Sequence, residues 1–197
     1  MNTEQFDEII QKVDMYAKCV LSPSRYEHSV RVACLARELC ERFGLDGNAG
    51  YLAGISHDIC KSCKDRLLLS LVSRDGKSVS ALETAKPSLL HGRGAAVLLE
   101  SEYNVHDESV LDAIRNHTFG SPELDKLGMV LFVADKIEPG REDYDPEARK
   151  KIMESDLDGM TRLVLEDNVR YLELKGKQVS VATLSMLEKL GGRVKER

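Results

Sequence analysis

The sequence predicts an all-α fold, a helical bundle of about ten helices. Three observations lead there. Apolar residues recur at helical spacing nearly throughout. No stretch shows a convincing strand-like alternation. Gly, Pro and capping residues fall at helix-length intervals. The 197 residues are expected to form a single domain over residues 1–197, and to bury a core without disulfide or structural-metal staples.

The elements follow in order. Phe6, Ile9, Ile10, Val13, Tyr16, Ala17 and Val20 form one stripe of an amphipathic helix. Ser22-Pro23 supplies a cap and a proline at the first helical position. The helix it opens carries Val30, Ala33, Cys34, Arg37 and Leu39 to Phe43, and Gly44 stops it. Asp46 caps a third helix that runs through Tyr51, Leu52 and Ile55 to His57. A fourth, Asp65 to Val72, closes at Asp75-Gly76. Further helices are expected over Leu89 to Tyr103, Asp107 to His117, Pro122 to Ile137, Pro146 to Glu154, Leu157 to Leu174 and Ala182 to Leu190. Lys175 to Gln178 reads as a turn and Gly191 to Arg197 as a frayed basic tail. The C-terminal helices, 146–190, are expected to pack on a core carried by residues 25–141.

Composition excludes several classes. Lys plus Arg is 28 against 33 Asp plus Glu, a net charge of −5, the wrong sign for a general nucleic-acid coat. With no Trp and 5% aromatics, a stacking platform for single strands is not expected either. The longest apolar runs, such as Met129 to Ala134, fall far short of the roughly 20 residues a bilayer requires. The first residues carry acids and no signal-peptide pattern. Five Cys at irregular positions then read as free thiols in a reducing cytoplasm.

The chemistry concentrates in His and Asp. His28 lies early on the second helix, His57-Asp58 ends the third, His91 opens a later one and His117 ends another. Asp135 interrupts the apolar run Leu131-Phe132-Val133-Ala134. A carboxylate on a core-facing helix is costly unless it is paired or bound to a metal. His106 stands beside a turn and reads as a surface residue. Cys60-x-x-Cys63 has no second pair and no βαβ context, so it reads as incidental, although Cys60 adjoins His57-Asp58 and is a candidate for oxidation. Arg149-Lys150-Lys151 reads as a solvated helix face and Glu142 to Asp145 as a loop.

In this order and on separate helices, His, His-Asp and a later Asp resemble the ligand pattern of HD-domain metal-dependent phosphohydrolases. More narrowly the chain resembles the YqeK family, which hydrolyses diadenosine tetraphosphate symmetrically. The stretches that carry the likeness are Arg25-Tyr26-Glu27-His28-Ser29, His57-Asp58-Ile59-Cys60-Lys61, Leu90-His91-Gly92, His117-Thr118 and Ala134-Asp135-Lys136-Ile137-Glu138-Pro139-Gly140-Arg141. A weaker match covers Gly176 to Leu184. Two positions depart from the pattern: Phe119 follows Thr118 where a second threonine is common, and Ser180-Val181 stand where a His-Pro pair is common.

The resemblance implies roles. His28, His57, Asp58 and Asp135 would hold a divalent metal. Two imidazoles and two carboxylates suit iron or manganese and tolerate other divalent ions, and the resemblance favours iron. His91 and His117 would touch a phosphate or complete a second metal position. Arg25, Lys61 and Arg141 supply positive charge for phosphoryl transfer. Asp58, Lys61, His91 and His117 are the expected catalytic groups. Substrate contacts are expected from these and from Arg25, His28, Thr118, Asp135, Arg141, Gln178 and Thr183. The expected ligand is a small dinucleoside polyphosphate, with no nucleic-acid or membrane partner, and a homodimer is left open. Two rivals remain: an HD hydrolase of another small nucleotide, an alarmone or a deoxynucleotide, and a nucleotide-binding module without turnover. The second would usually have lost a metal ligand, and no ligand position is vacant here.

Overall fold

The computed structural model describes residues 3–141 and 144–192. They form eleven α-helices and one 3-10 turn, with no strand among the described residues. The helices are α1 (Thr3–Val20), α2 (Pro23–Arg42), α3 (Gly47–Ser56), α4 (Asp65–Val72), α5 (Ala81–Ala85), α6 (His91–Tyr103), α7 (Glu108–Asn116), α8 (Lys126–Ile137), α9 (Pro146–Met153), α10 (Leu157–Leu174) and α11 (Val181–Lys189). The 3-10 turn, Pro87–Leu90, leads into α6. The all-α expectation holds. Among the described residues, no helix is long and apolar enough to cross a membrane.

Two helices form the centre, and their composition explains why. α8 is apolar nearly all round and buries Leu127, Val130, Leu131, Phe132, Val133, Ala134 and Ile137. A helix with no polar face must lie inside, and α8 packs against α2, α3, α7 and α10. α3 buries Leu52, Ala53 and Ile55 and lies against α1, α2, α7 and α8. Its approach to α2 depends on Gly54, where an added Cβ would strike the Ala33 backbone. The α1 stripe is amphipathic as expected, with Phe6, Val13 and Ala17 buried.

Side-chain caps set most of the helix starts. Ser22, Asp46, Asp107, Asp125, Asp145, Asp156 and Ser180 each accept from an amide in the first turn of the helix that follows. This corrects one boundary. α8 starts at Lys126 instead of Pro122, because Asp125 takes the Gly128 amide at 2.8 Å and also accepts from Ser109. α5 is an addition: Ser80 and Glu83 form a reciprocal capping box over a five-residue helix. At the end of α11, Gly191 (φ 71°) lets its own amide and that of Gly192 reach the Glu188 and Leu187 carbonyls. The expected frayed tail from residue 193 onward lies outside the described residues, as do Glu142 and Asp143 of the expected loop.

Arg149 is not part of a solvated face. It is half-buried, and its guanidinium donates to the carbonyls of Glu138 (3.1 Å) and Arg141 (3.0 Å), bracing the turn after α8. Lys150 and Lys151 are exposed as expected.

The segment between α4 and α6 is held by Arg93. Its guanidinium donates to both Asp75 oxygens, at 2.8 and 2.9 Å, to the Lys77 and Ser78 carbonyls, and to Glu83. Burial alone would raise the Asp75 carboxyl pKa, but Arg93 and the Lys77 amide outweigh it and lower the value. The carboxylate therefore stabilises the fold above its ordinary pKa of about 4, and that contribution is lost as pH falls through the depressed folded value. Asp75→Asn is expected to lower stability by ~2 kcal/mol at pH 7. Urea unfolding should show the difference between variant and wild type shrinking below pH 4. A constant difference across that range would refute the pairing.

Candidate metal centre

Six buried groups from five helices converge. His28 lies in α2, and Asp135 faces it from α8, with Nε2 and Oδ1 3.1 Å apart. His57 caps the C-terminus of α3 and Asp58 follows it in the turn. His91 is the first residue of α6, and His117 caps α7. Asp58 Oδ1 lies 2.9 Å from His91 Nε2 and 3.8 Å from His117 Nε2. His57 Nε2 lies 3.6 Å from both Asp58 Oδ2 and Asp135 Oδ1. Two neighbouring imidazoles, His91 and His117, bring their Nε2 atoms within 2.9 Å.

The helix ends fix the ring tautomers. His57 Nδ1 donates to the Gly54 carbonyl (2.7 Å), His91 Nδ1 to Ser88 (2.8 Å) and His117 Nδ1 to Ile114 (2.8 Å). Each ring thus spends its Nδ1 proton on the carbonyl three residues earlier and turns Nε2 toward the cluster, the atom a metal takes. His28 does the same through a carboxylate: its Nδ1 donates to Glu138 at 3.0 Å. Glu138 is buried and is held in turn by Arg31 at 2.6 Å and by the Gly140 amide at 2.5 Å. Gly92 is required beside His117, because a Cβ there would lie 2.6 Å from the Ile114 carbonyl oxygen and 2.8 Å from the His117 ring.

At Asp58, Asp135 and His117 the electrostatics favour ligation, while at His57 burial lowers the pKa but Asp58 and Asp135 outweigh it and raise the value. Burial alone would raise the Asp58 carboxyl, but His57, His91 and Lys61 hold it well below the ordinary range. Lys136, His28 and His57 likewise overcome the burial of Asp135 and keep it ionised. His117 is pushed well down by burial, with the charges of His91 and His57 adding to the effect, so its imidazole stays neutral. Neutral imidazole and ionised carboxylate are the forms that bind metal.

A ring of cations borders these groups. Arg25 donates to Asp58 Oδ2 at 3.0 Å, and Lys61 Nζ lies 3.5 Å from Asp58 Oδ1 and 3.1 Å from His91 Nε2. Arg141 donates to the Asp135 carbonyl (2.9 Å) and carboxylate (3.3 Å). Lys136 adds a 2.6 Å pair with Asp135. Thr118 places its hydroxyl 3.3 Å from His117 Nε2. Gln178 and Thr183 are more distant. They line a cavity of about 310 Å³ together with Thr118, Phe119, Asn168 and Ser180, and the Thr183 hydroxyl donates to the Phe119 carbonyl.

Sequence reasoning assigned no role to Lys136, Arg31 or Glu138. Glu138 carried a signal, since a glutamate directly after a buried helix end must find partners. His106 is exposed and bonded to Asn104, as expected. Cys60 corrects the oxidation expectation: it is buried, and burial together with Cys63 pushes its thiol strongly upward, so it stays protonated and unreactive.

The donor set fits a divalent metal. Three interlocking groups have donor atoms close enough to share an ion: His28, His57 and Asp58; His57, His117 and Asp135; Asp58, His91 and His117. His57 Nε2 and Asp58 Oδ1 are buried with no hydrogen-bond partner, an arrangement that is costly unless another group satisfies them. Mixed imidazole and carboxylate ligation suits first-row transition metals.

An all-α core with clustered His and Asp residues on separate helices, placed to hold a metal, defines an HD-domain hydrolase, with a site consistent with phosphohydrolase chemistry on a small nucleotide. The HD domain model matches residues 25–140, and the chain belongs to that family. Within it, the chain is homologous to symmetrical bis(5'-nucleosyl)-tetraphosphatases. It is 35% identical to the Bacillus subtilis protein of that name over 81% of this chain and 85% of the relative. It is 39% identical to the Staphylococcus aureus protein over 67% of this chain and 68% of the relative. A crystal structure from Clostridium acetobutylicum, described as a predicted HD superfamily hydrolase involved in NAD metabolism, superposes with a TM-score of 0.84 at 28% identity. That match covers 91% of this chain and 95% of the other.

Loss of a ligand should empty the site. His57→Ala and Asp58→Ala are expected to be purified without metal, and Glu138→Gln to bind it about 10–100-fold more weakly through loosened His28. Elemental analysis and metal titration measure both, and full occupancy in either alanine variant would remove that residue from the ligand set.

Proposed function

We propose that the chain hydrolyses diadenosine tetraphosphate symmetrically, releasing two ADP, with His28, His57, Asp58 and Asp135 holding a divalent metal, iron before manganese. One observation carries this reading. The buried donor cluster is bordered by Arg25, Lys61, Lys136 and Arg141, on a chain homologous along most of its length to symmetrical tetraphosphatases. Bound there, the metal supplies a water of lowered pKa and positive charge against a phosphoryl oxygen.

The chain's own residues do the rest. Arg25 and Arg141 present guanidinium forks suited to phosphate oxygens, and Lys61 and Lys136 add point charges. His91 and His117 stand beside Asp58 to contact phosphate and carry protons. Water adds to the second phosphorus of the chain. The bond from that phosphorus to the central bridging oxygen breaks, and the second ADP leaves with that oxygen. Phosphoryl transfer of this kind depends mainly on positioning and charge neutralisation.

A second reading, hydrolysis of another small nucleotide, rests on the two departures from the family pattern. Phe119 and Ser180 both line the cavity that holds Thr118, Gln178 and Thr183. Changes concentrated at one cavity alter which nucleoside fits more readily than they alter the bond that is cut.

Arg141→Ala and Lys61→Ala are expected to retain metal and to lose about 100-fold or more in kcat, since their charges meet oxygens whose charge shifts as the bond breaks. Steady-state kinetics on metal-loaded protein measure this, and wild-type kcat/KM would dismiss that residue. Hydrolysis in ¹⁸O-labelled water should give ADP as the only nucleotide product, with one labelled oxygen on half of it. AMP plus ATP would reject symmetrical cleavage, and selective turnover of a different nucleotide would favour the second reading.

A further inference from the structure

A cavity lies beside the candidate metal centre, and apart from Lys136 and Arg141 its lining has no part in the roles assigned so far. Its volume is about 530 Å³, and its walls come from the end of α8, the turn after it, α9 and α10. Lys136 and Arg141 stand in its lining, and both pair with Asp135, so one wall of this cavity is the cation ring of the centre. Much of the remaining wall is α10, which contributes Val164, Asn168, Tyr171 and Leu174 beside the paired Asp167 and Arg170.

Tyr171 and Leu174 are unusual for their size. They are 52% and 80% exposed, among the most exposed large apolar side chains described. An aromatic ring and an aliphatic side chain beside an amide and the cations Lys136, Arg141 and Arg170 provide a stacking face, a hydrogen-bonding group and phosphate contacts together. Two acids stand in the wall, and both are engaged: Asp145 accepts from the Ala148 amide at 3.1 Å as the cap of α9, and Asp167 accepts from the Tyr144 hydroxyl at 2.8 Å and pairs with Arg170 at 3.5 Å. They therefore oppose an anionic ligand less than free carboxylates would.

The cavity has a counterpart. The 310 Å³ cavity of Thr118, Gln178 and Thr183 reaches the centre through Thr118, beside His117. Asn168 lines both, so α10 is a wall common to the two. One cavity thus joins the cluster on its Asp135 side and the other on its His117 side. A ligand with a nucleoside at each end of a polyphosphate matches two cavities that share one bed of cations.

We infer that the Lys136–Tyr171 cavity is a second nucleoside site, which takes the distal nucleoside of a dinucleoside polyphosphate by stacking its base on Tyr171. This rests on the dinucleotide reading above and adds to it the residues that would distinguish a two-headed substrate from a mononucleotide.

The test compares two probes by calorimetry: a diadenosine tetraphosphate analogue with a methylene group in place of the central bridging oxygen, and adenosine 5'-tetraphosphate, which lacks the second nucleoside. The wild-type chain should bind the two-headed probe the more tightly. Tyr171→Ala should weaken it about tenfold, leave adenosine 5'-tetraphosphate binding unchanged, and be rescued by Tyr171→Phe, which keeps the ring. Tyr171 is exposed, so the change should not disturb folding. Equal affinity of the wild-type chain for both probes overturns the inference, as does an equal loss for both in Tyr171→Ala or a failed rescue. Those results leave symmetrical hydrolysis standing. Tighter binding of the two-headed probe and its selective loss in Tyr171→Ala, in a chain that does not cleave diadenosine tetraphosphate, would retain the cavity assignment and reject the hydrolysis reading.

Discussion

Two ionised carboxylates, Asp58 and Asp135, lie inside a helical core, and much of the surrounding structure answers that fact. Both side chains are almost fully withdrawn from solvent, where an uncompensated charge would cost several kcal/mol. The chain compensates from several directions. Imidazoles approach from α2, α6 and the ends of α3 and α7, and cations from α2, α8 and the turns beyond α3 and α8. α8 can carry Asp135 through the middle of the bundle only because Lys136 and His28 meet it there.

Helix ends are the device that gathers these groups. Within a helix, adjacent residues diverge around the axis, so His57 and Asp58 could not both face one point in mid-helix. At the close of α3 the chain leaves the helix and they can. The same break exposes carbonyls that have no intrahelical donor. His57 and His117 use the carbonyls of Gly54 and Ile114 in this way. One feature thus satisfies an orphan acceptor and selects the ring nitrogen that faces the centre. His28, in mid-helix, has no such carbonyl, and Glu138 takes that place from a turn more than a hundred residues away.

Most of the helices and the ligand cluster were legible in the sequence because each rests on a short-range rule. Periodicity marks α1, caps mark α2 and α3, and a charge within an apolar run marks Asp135. The start of α8 was not, because Pro122 imitates a first helical residue while the contact that decides the matter, Ser109 with Asp125, joins residues far apart in sequence. α5 carried its Ser80–Glu83 signature, but over five residues with no apolar period to point to it. Arg149 directly precedes Lys150 and Lys151 and shares their charge. Only tertiary structure shows that it turns inward to the Glu138 and Arg141 carbonyls while they face water. Arg31 was unreadable for the same reason, since the carboxylate it meets, Glu138, lies 107 residues away, and Glu138 offered only the signal of a glutamate placed directly after a buried helix end.

Exposure within the site divides it in a way that chemistry can use. The imidazole and carboxylate side chains are at most 10% exposed, whereas Arg25, Lys61 and Arg141 are 36–39% exposed. Groups withdrawn from water hold fixed positions and suit a small ion of defined geometry. Groups at the rim keep donors to spare: each guanidinium has five N–H groups and each ammonium three, more than Asp58 and Asp135 take up. Exposure alone does not assign a role, as Arg31 shows. Its side chain is also 36% exposed, yet it is committed to Glu138 at 2.6 Å and through it to His28. What separates Arg31 from Arg141 is the carboxylate each one meets. Arg31 meets Glu138, which orients His28, and Arg141, itself in the lining of the Tyr171 cavity, meets Asp135, which belongs to the cluster. The same residue type with the same exposure therefore braces Glu138 in one case and pairs with a carboxylate of the cluster in the other, and the difference is set by which of two carboxylates at the end of α8 it meets.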